Sequence, residues 1–172
     1  MAYNIKSESG FLGFYFVDKA YADFLRDHVY GDVHVPFTKY DKRNKFFVGA
    51  VLVVNGMKYF APVTSYTDKN DATFNIKNRH GEIISSVRPN YMFPVIDGVY
   101  EMLDIPNIKD VKYRYYVMDE YKYCSKHREE IVALAESMYS LRKQGKTATE
   151  YNKIYLIDFK KLEKRAKQYK KQ

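Results

Sequence analysis

The chain has 172 residues, 46% of them hydrophobic, so it can bury one ordinary domain core, and both global disorder and a large multidomain enzyme are excluded. The longest apolar run, Phe46–Val54 with Gly49 inside it, is too short to span a bilayer; Met1–Gly10 is polar without a signal-peptide core; and the single cysteine, Cys124, excludes a disulfide framework or a cysteine-based zinc site within one chain, which together predict a cytoplasmic setting. Lysine plus arginine exceed aspartate plus glutamate by 29 to 21, and the whole excess of +8 falls in residues 142–172, which hold 11 basic and 3 acidic groups.

No repeat, low-complexity block or Gly/Ser linker divides the chain, so residues 1–172 read as one domain. Gly10–Val17 (GFLGFYFV) predicts an aromatic strand. Asp18 follows as the cap of a short helix with Tyr21, Phe24 and Leu25 on one face. Residues 29–44 mix Gly, Pro and charge and predict a loop. Lys45–Val54, Asn55-Gly56 and Met57–Thr64 predict a β-hairpin, because Asn-Gly tolerates the two positive φ values of a type I′ turn. Its first strand is apolar on both faces and so is predicted to be central; Pro62 belongs near a strand end or an irregularity.

Ser65–Asp71 predicts a polar loop. Thr73–Asn78 and Glu82–Val87 predict a second hairpin about Arg79-His80-Gly81, and Tyr91–Ile96 another strand. The period then changes. Asp110–Cys124 predicts a tyrosine-rich helix. Ser125 is expected to start or kink a second one, ending near Gly145, with Ile131, Leu134, Ala135, Met138 and Leu141 as its apolar stripe. Asp158 is expected to cap a last helix, Phe159–Lys170, with Phe159, Leu162 and Ala166 inward. Strands followed by helices indicate an α+β domain built on an antiparallel sheet.

The chemistry is constrained mainly by elimination. The four histidines, His28, His34, His80 and His127, are scattered without ligand spacing, and no phosphate-binding glycine motif exists. Asp119, Glu120, Glu129 and Glu130 are expected to face solvent. Cys124 with His127 could form a thiol pair on one helix, but a buried cysteine is the commoner outcome. The eighteen tyrosines offer stacking faces suited to single-stranded nucleic acid, and equally suit half-buried positions.

A basic and hydroxylic group remains around the first hairpin. Residues 39–45 read Lys-Tyr-Asp-Lys-Arg-Asn-Lys, and the return strand ends at Thr64-Ser65. A two-residue turn at Asn55-Gly56 predicts Lys45 opposite Tyr66, gathering Lys45, Thr64, Ser65 and Lys69 at one end of the hairpin. Cations with hydroxyl donors suit phosphate binding. They also suit RNA cleavage in which the 2′-OH is the nucleophile, where the protein must align the phosphate, stabilise its charge and move two protons. The same pattern is that of a lysine-edged strand that discourages edge pairing.

At these residues the sequence resembles the endoribonuclease toxins of type III toxin–antitoxin systems, the ToxN/AbiQ/CptN group. The text that carries the likeness is Lys45-Phe-Phe-Val-Gly-Ala-Val-Leu, then Gly56-Met-Lys-Tyr-Phe-Ala-Pro-Val-Thr-Ser65. Met92-Phe93-Pro94-Val95, the helix around Glu120–Ile131 and the segment Phe14–Arg26 extend it. The resemblance implies a bent antiparallel sheet like that of the MazF/Kid toxins, with surrounding helices. It implies metal-independent cleavage of single-stranded, often A-rich RNA to a 2′,3′-cyclic phosphate, with no cofactor. It implies two RNA partners, target mRNA and a pseudoknotted small antitoxin RNA cut from a repeat precursor and held in a closed RNA–protein assembly. Phage abortive infection is a further implied role; no membrane partner is.

Carried over by residue, Lys45 matches the strand-entry lysine at the scissile phosphate, and Thr64 and Ser65 match the active-site pair. The family follows that pair with Pro-Lys, whereas here Tyr66-Thr67-Asp68-Lys69 stands, making Lys69 the corresponding lysine. Tyr40 stands beside the position of an upstream family tyrosine, which Asp41 occupies; Lys42 and Arg43 adjoin it as RNA-binding candidates. Tyr123 corresponds to the groove-lining helix aromatic, with Lys122 and Glu120 beside it. Arg88 is added from charge and position. The alternative from another class is a non-catalytic nucleic-acid-binding module that uses the basic C-terminal helix.

Overall fold

The computed structural model describes residues 12–26 and 45–170, with the backbone of 5–6, 27–28, 39–40 and 43–44. The strands are β1 (Ile5–Lys6), β2 (Gly13–Val17), β3 (Lys39–Tyr40), β4 (Arg43–Asn44), β5 (Phe47–Val54), β6 (Met57–Thr64), β7 (Phe74–Lys77), β8 (Ile83–Val87), β9 (Phe93–Val95) and β10 (Tyr100–Met102). The helices are α1 (Lys19–His28), α2 (Val111–Lys126), α3 (Arg128–Lys143) and α4 (Phe159–Ala166). The fold is α+β, with helices filling the C-terminal half. No helix among the described residues is long and apolar enough to cross a membrane.

The main sheet is eight-stranded and antiparallel, in the order β10-β2-β5-β6-β8-β7, with β1 added to β5 and β9 to β6. The Asn55-Gly56 turn has the positive φ values, 50° and 81°, that its residues predict. β5 is central, between β2 and β6, as its two-faced apolar sequence requires. Pro62 lies near the end of β6, opposite Phe47. The predicted 29–44 loop needs correction where it is described: β3 and β4 pair as a small separate hairpin.

β5 and β6 do not keep one register. Val54↔Met57, Val53↔Lys58 and Leu52↔Tyr59 pair as the turn dictates, but Gly49 then faces Phe60 and Phe47 faces Pro62. Ala50 and Val51 are therefore extra residues on β5, and the ladder slips by two beyond them. A Cβ at Gly49 would overlap the Phe60 ring, so glycine is what lets that ring lie on the β5 backbone.

The core joins sheet and helices. Phe14, Phe47, Tyr59, Phe60, Phe93 and Phe159 are all buried in it. The deepest tyrosines keep their hydroxyls bonded: Tyr21 donates to the Pro94 carbonyl at 2.5 Å, and Tyr139 to Glu163 at 2.8 Å. Asp110 caps α2 by accepting from the Tyr113 amide. The break between α2 and α3 falls at His127, so Ser125 belongs to α2 rather than starting the next helix. Ile131, Ala135 and Met138 are buried on α3, while Leu134 and Leu141 are half-buried beside them. Asp158 caps α4, whose Phe159, Leu162 and Ala166 are buried as predicted; the helix ends at Ala166, short of Lys170.

Candidate active site

The slip in β5 decides the geometry of the first hairpin's open end. Continued past Phe47↔Pro62, the register sets Lys45 opposite Thr64, not opposite Tyr66. Thr64 pairs with Ser86 on β8, and Ser86 with Asn75 on β7. Thr64, Ser86 and Asn75 thus form one row across β6, β8 and β7, and Lys45, two residues before β5, falls at its end when the β5–β6 register is carried on. Cross-strand partners share a face of the sheet, so these side chains project together.

Arg88 lies two residues beyond Ser86, and its amide donates to the Pro62 carbonyl at 3.1 Å, which continues the β6–β8 ladder. Its guanidinium sits between two rings, 4.5 Å from the centre of Tyr66 and 4.9 Å from that of Tyr91. Arg88 also bears on Lys45. Burial first, and then the Arg88 charge, hold the Lys45 ammonium below its ordinary pKa.

The loop after Thr64 is pinned from this row. Thr64 Oγ1 accepts from the Tyr66 amide at 3.1 Å, and the Ser86 hydroxyl donates to the Tyr66 carbonyl. The Asn75 side-chain amide donates to the Thr67 carbonyl at 3.3 Å. Ser65 is left exposed between Thr64 and Tyr66. Lys69 is exposed on the same loop, and it is Arg88, not Lys69, whose charge bears on Lys45. Lys42 lies outside the described residues, as do the side chains of Tyr40 and Arg43.

The residues expected from α2 lie elsewhere. Ser85 and Phe74 point to the opposite face of β7–β8, toward α2. The Tyr123 ring packs there, 5.9 Å from Phe74 and 4.2 Å from His127, between ring centres. Tyr123 is therefore not gathered with Lys45. Lys122 is exposed and lines a cavity of about 930 Å³ between α2 and residues 102–106, together with Phe14 and Arg114.

The acids differ from expectation as well. Glu120 is not solvent-facing: it is 2% exposed and accepts from the Ser85 hydroxyl at 2.6 Å. Burial pushes its pKa up to about 7. Asp119 takes three guanidinium bonds from Arg79, at 2.9, 3.1 and 3.2 Å, tying α2 to the second hairpin's turn. Glu129 and Glu130 are exposed, and Glu130 lies 2.9 Å from His127 Nδ1. Cys124 is buried, which pushes its thiol pKa well up and leaves it without nucleophilic character. Among the described residues no group of three or more His, Cys, Asp and Glu could hold a metal ion.

Sequence reasoning missed Ser86, Tyr66 and Tyr91. The hairpin signal around Arg79-His80-Gly81 could have given the first, since β7–β8 pairing fixes which of Ser85 and Ser86 faces β6's hydroxyl row. The second needed the β6–β8 pairing that brings Ser86 and Arg88 to it, which no local pattern marks.

The comparisons agree with this fold. The family model described as toxin ToxN of type III toxin–antitoxin systems matches residues 13–167. The Bacillus thuringiensis subsp. kurstaki protein named Endoribonuclease ToxN is 27% identical over 165 residues, covering 91% of this chain and 84% of its own. The protein of the same name from Pectobacterium atrosepticum is 22% identical over 144 residues, covering 77% and 82%. A solved type III toxin that is inhibited by a non-coding RNA pseudoknot superposes with a TM-score of 0.78 at 25% identity, over 95% of this chain and all, 100%, of its own. AbiQ, a lactococcal anti-phage endoribonuclease, shares the fold at a TM-score of 0.73 and 23% identity, over 93% and 98%. The chain belongs to the ToxN family of toxins from type III toxin–antitoxin systems.

Proposed function

We propose that the protein is an endoribonuclease that cuts single-stranded RNA without a metal ion, and that Lys45, Thr64, Ser65 and Arg88 form its centre. This reading is carried by the Arg88 charge bearing on half-buried Lys45, at the end of the hairpin where Thr64 pairs with Ser86. Two cations beside the Thr64 and Ser65 hydroxyls suit a phosphate whose negative charge grows in the transition state, while buried Ser86 holds the Tyr66 carbonyl. The RNA 2′-oxygen bonds to phosphorus while the bond from phosphorus to the 5′-oxygen breaks, giving a 2′,3′-cyclic phosphate and a 5′-hydroxyl. The 2′-hydroxyl gives up its proton to a base, and the departing 5′-oxygen takes one from an acid. Lys45, with its lowered pKa, is suited to the first of these as a neutral amine. Arg88, always charged, holds the phosphate.

The names of the relatives, and the pseudoknot RNA that inhibits one of them, support the wider reading. The antitoxin is a small pseudoknotted RNA that this chain cuts from its precursor and stays bound to, in a closed RNA–protein assembly. Free toxin acts on cytoplasmic mRNA at A-rich sites and serves phage defence. Lys69, Lys122 and Tyr123 are outlying RNA contacts in this reading, and Tyr40, Lys42 and Arg43 extend it on the segment before β5. The experiment is incubation with an A-rich single-stranded RNA in excess EDTA, with Lys45→Ala as control and analysis of the product ends. Cleavage by the wild type alone, to 2′,3′-cyclic ends, is expected. RNA binding without cleavage would favour the non-catalytic module.

A further inference from the structure

Tyr66 is a large exposed aromatic that is held still. It is 40% exposed, on a polar loop, where a tyrosine would ordinarily be free to swing. Here its amide and its carbonyl are both bonded by side chains of the site row, Thr64 and Ser86. One side of its ring carries the Arg88 guanidinium at 4.5 Å. Arg88 has no carboxylate partner among the described residues, and its Nε is buried without a hydrogen bond. The charge on which Tyr66 rests is thus left for an anion, while the ring stays partly exposed and its hydroxyl is bonded to Asp68 and Asn70.

We infer that Tyr66, backed by Arg88, is a stacking platform for one nucleobase of a single-stranded RNA, next to the phosphate held by Lys45 and Arg88. This deepens the ribonuclease reading and rests on it. Base–aromatic stacking needs a flat ring whose position is already fixed, because ordering a mobile ring offsets the gain. The tethers at Tyr66 supply that order before RNA arrives. They also couple ring and phosphate site, since Thr64 and Ser86 belong to the row at whose end Lys45 falls. Stacking accepts any base and favours those with the largest faces, so the platform contributes a purine preference at one position rather than a full sequence code. Tyr66 is also where the chain leaves the Pro-Lys pattern that otherwise follows Thr-Ser, so the platform belongs to this chain's own loop.

The test uses the full chain and an A-rich RNA with a 2′-O-methyl group at the cleavage nucleotide, so that binding is read without turnover. A series of the same RNA carries one abasic residue at each position around that nucleotide. Tyr66→Leu is expected to weaken binding of the intact RNA about tenfold, and Tyr66→Phe to restore most of it. One abasic position should cost the wild type a similar factor and cost Tyr66→Leu little, because base and ring act as a pair. Additive effects at every position, or wild-type affinity in Tyr66→Leu, would overturn the platform even if unmodified RNA is still cut. Coupled effects with no cleavage of unmodified RNA would instead overturn the ribonuclease reading and leave the platform standing.

Discussion

Lys45 and Arg88 set two positive charges against each other at the open end of the first hairpin, and the second charge adds to burial in lowering the Lys45 pKa. Each destabilises the other until an anion lies between them, as at a site built for phosphate. If neutral Lys45 takes the 2′-proton, the cleavage rate rises with pH until the amine is deprotonated. Arg88→Met removes one of the two causes and lets the ammonium recover toward its ordinary pKa. The rising limb of the pH–rate profile is then expected at higher pH than in the wild type, alongside weaker RNA binding. A limb that stays where it was would mean that another group titrates.

Glu120 gives the fold its own pH dependence. Its carboxyl is buried against β8 with the Ser85 hydroxyl as partner, and its pKa rises from an ordinary 4.5 to about 7. A carboxyl raised in the folded state binds more protons there than in the unfolded chain. Its contribution is complete below pH 4.5 and is lost as the pH rises to about 7. The shift corresponds to a loss of about 3 kcal/mol over that window, as an order of magnitude. Tyr116 and Cys124, whose pKa values the Glu120 charge also helps to raise, share the same environment. Glu120→Gln should unfold with a flatter pH dependence and melt several degrees higher than the wild type at pH 8. Parallel stability curves from pH 5 to pH 8 would contradict a buried, titrating Glu120.

The limits of the sequence can be traced to particular residues. Asn55-Gly56 fixes the first turn locally, so the hairpin and the central place of β5 are legible. Phe159, Leu162 and Ala166 at helical spacing behind Asp158 make α4 legible in the same way. The insertion of Ala50 and Val51 is not, because the ring of Phe60 over Gly49 is a tertiary choice between two strands. That one slip separates an expected Lys45–Tyr66 pairing from the row through Thr64 and Ser86. Glu120 misleads for a similar reason: adjacent acids on a helix suggest a solvated face, and only the docking of α2 on β8 turns one of them inward. Tyr123 follows the same rule, since its motif fixes its place on a helix but not the face of the sheet that the helix covers.

Gly49 makes the slip testable. Gly49→Ala would drive a methyl group into the Phe60 ring, which itself stacks on Tyr15 at 4.8 Å between centres. The Phe60 ring is buried and has little space to yield in a close-packed core. A cost of about 1–3 kcal/mol is expected, in line with overpacked cores, and chemical denaturation should show a lower midpoint with an unchanged slope. Loss of cleavage should follow loss of register, because Lys45 reaches Thr64 only through this strand. Wild-type stability in the Gly49→Ala variant would mean that the ring does not rest on the β5 backbone in solution.

The basic C-terminal helix combines two roles that truncation would confuse. Its inner face is core: Phe159 packs on Tyr59 and stacks on Tyr139, Glu163 accepts from both of those hydroxyls, and the Arg165 guanidinium lies 3.6 Å from the Phe24 ring centre. Phe159→Ala should therefore cost about 3–5 kcal/mol of stability. Its outer face is exposed lysine, including Lys160, Lys164 and Lys167. Replacing these three with Gln disturbs no buried packing and should leave the melting temperature within a degree or so. If they neutralise RNA phosphates, the slope of log K against log salt should shrink by about 0.7 for each phosphate no longer neutralised. Cleavage at saturating RNA would persist, because Lys45 and Thr64 stand on another part of the sheet. An unchanged salt slope would confine α4 to holding the core, and all of the polyanion binding would then fall to the hairpin end and its neighbours.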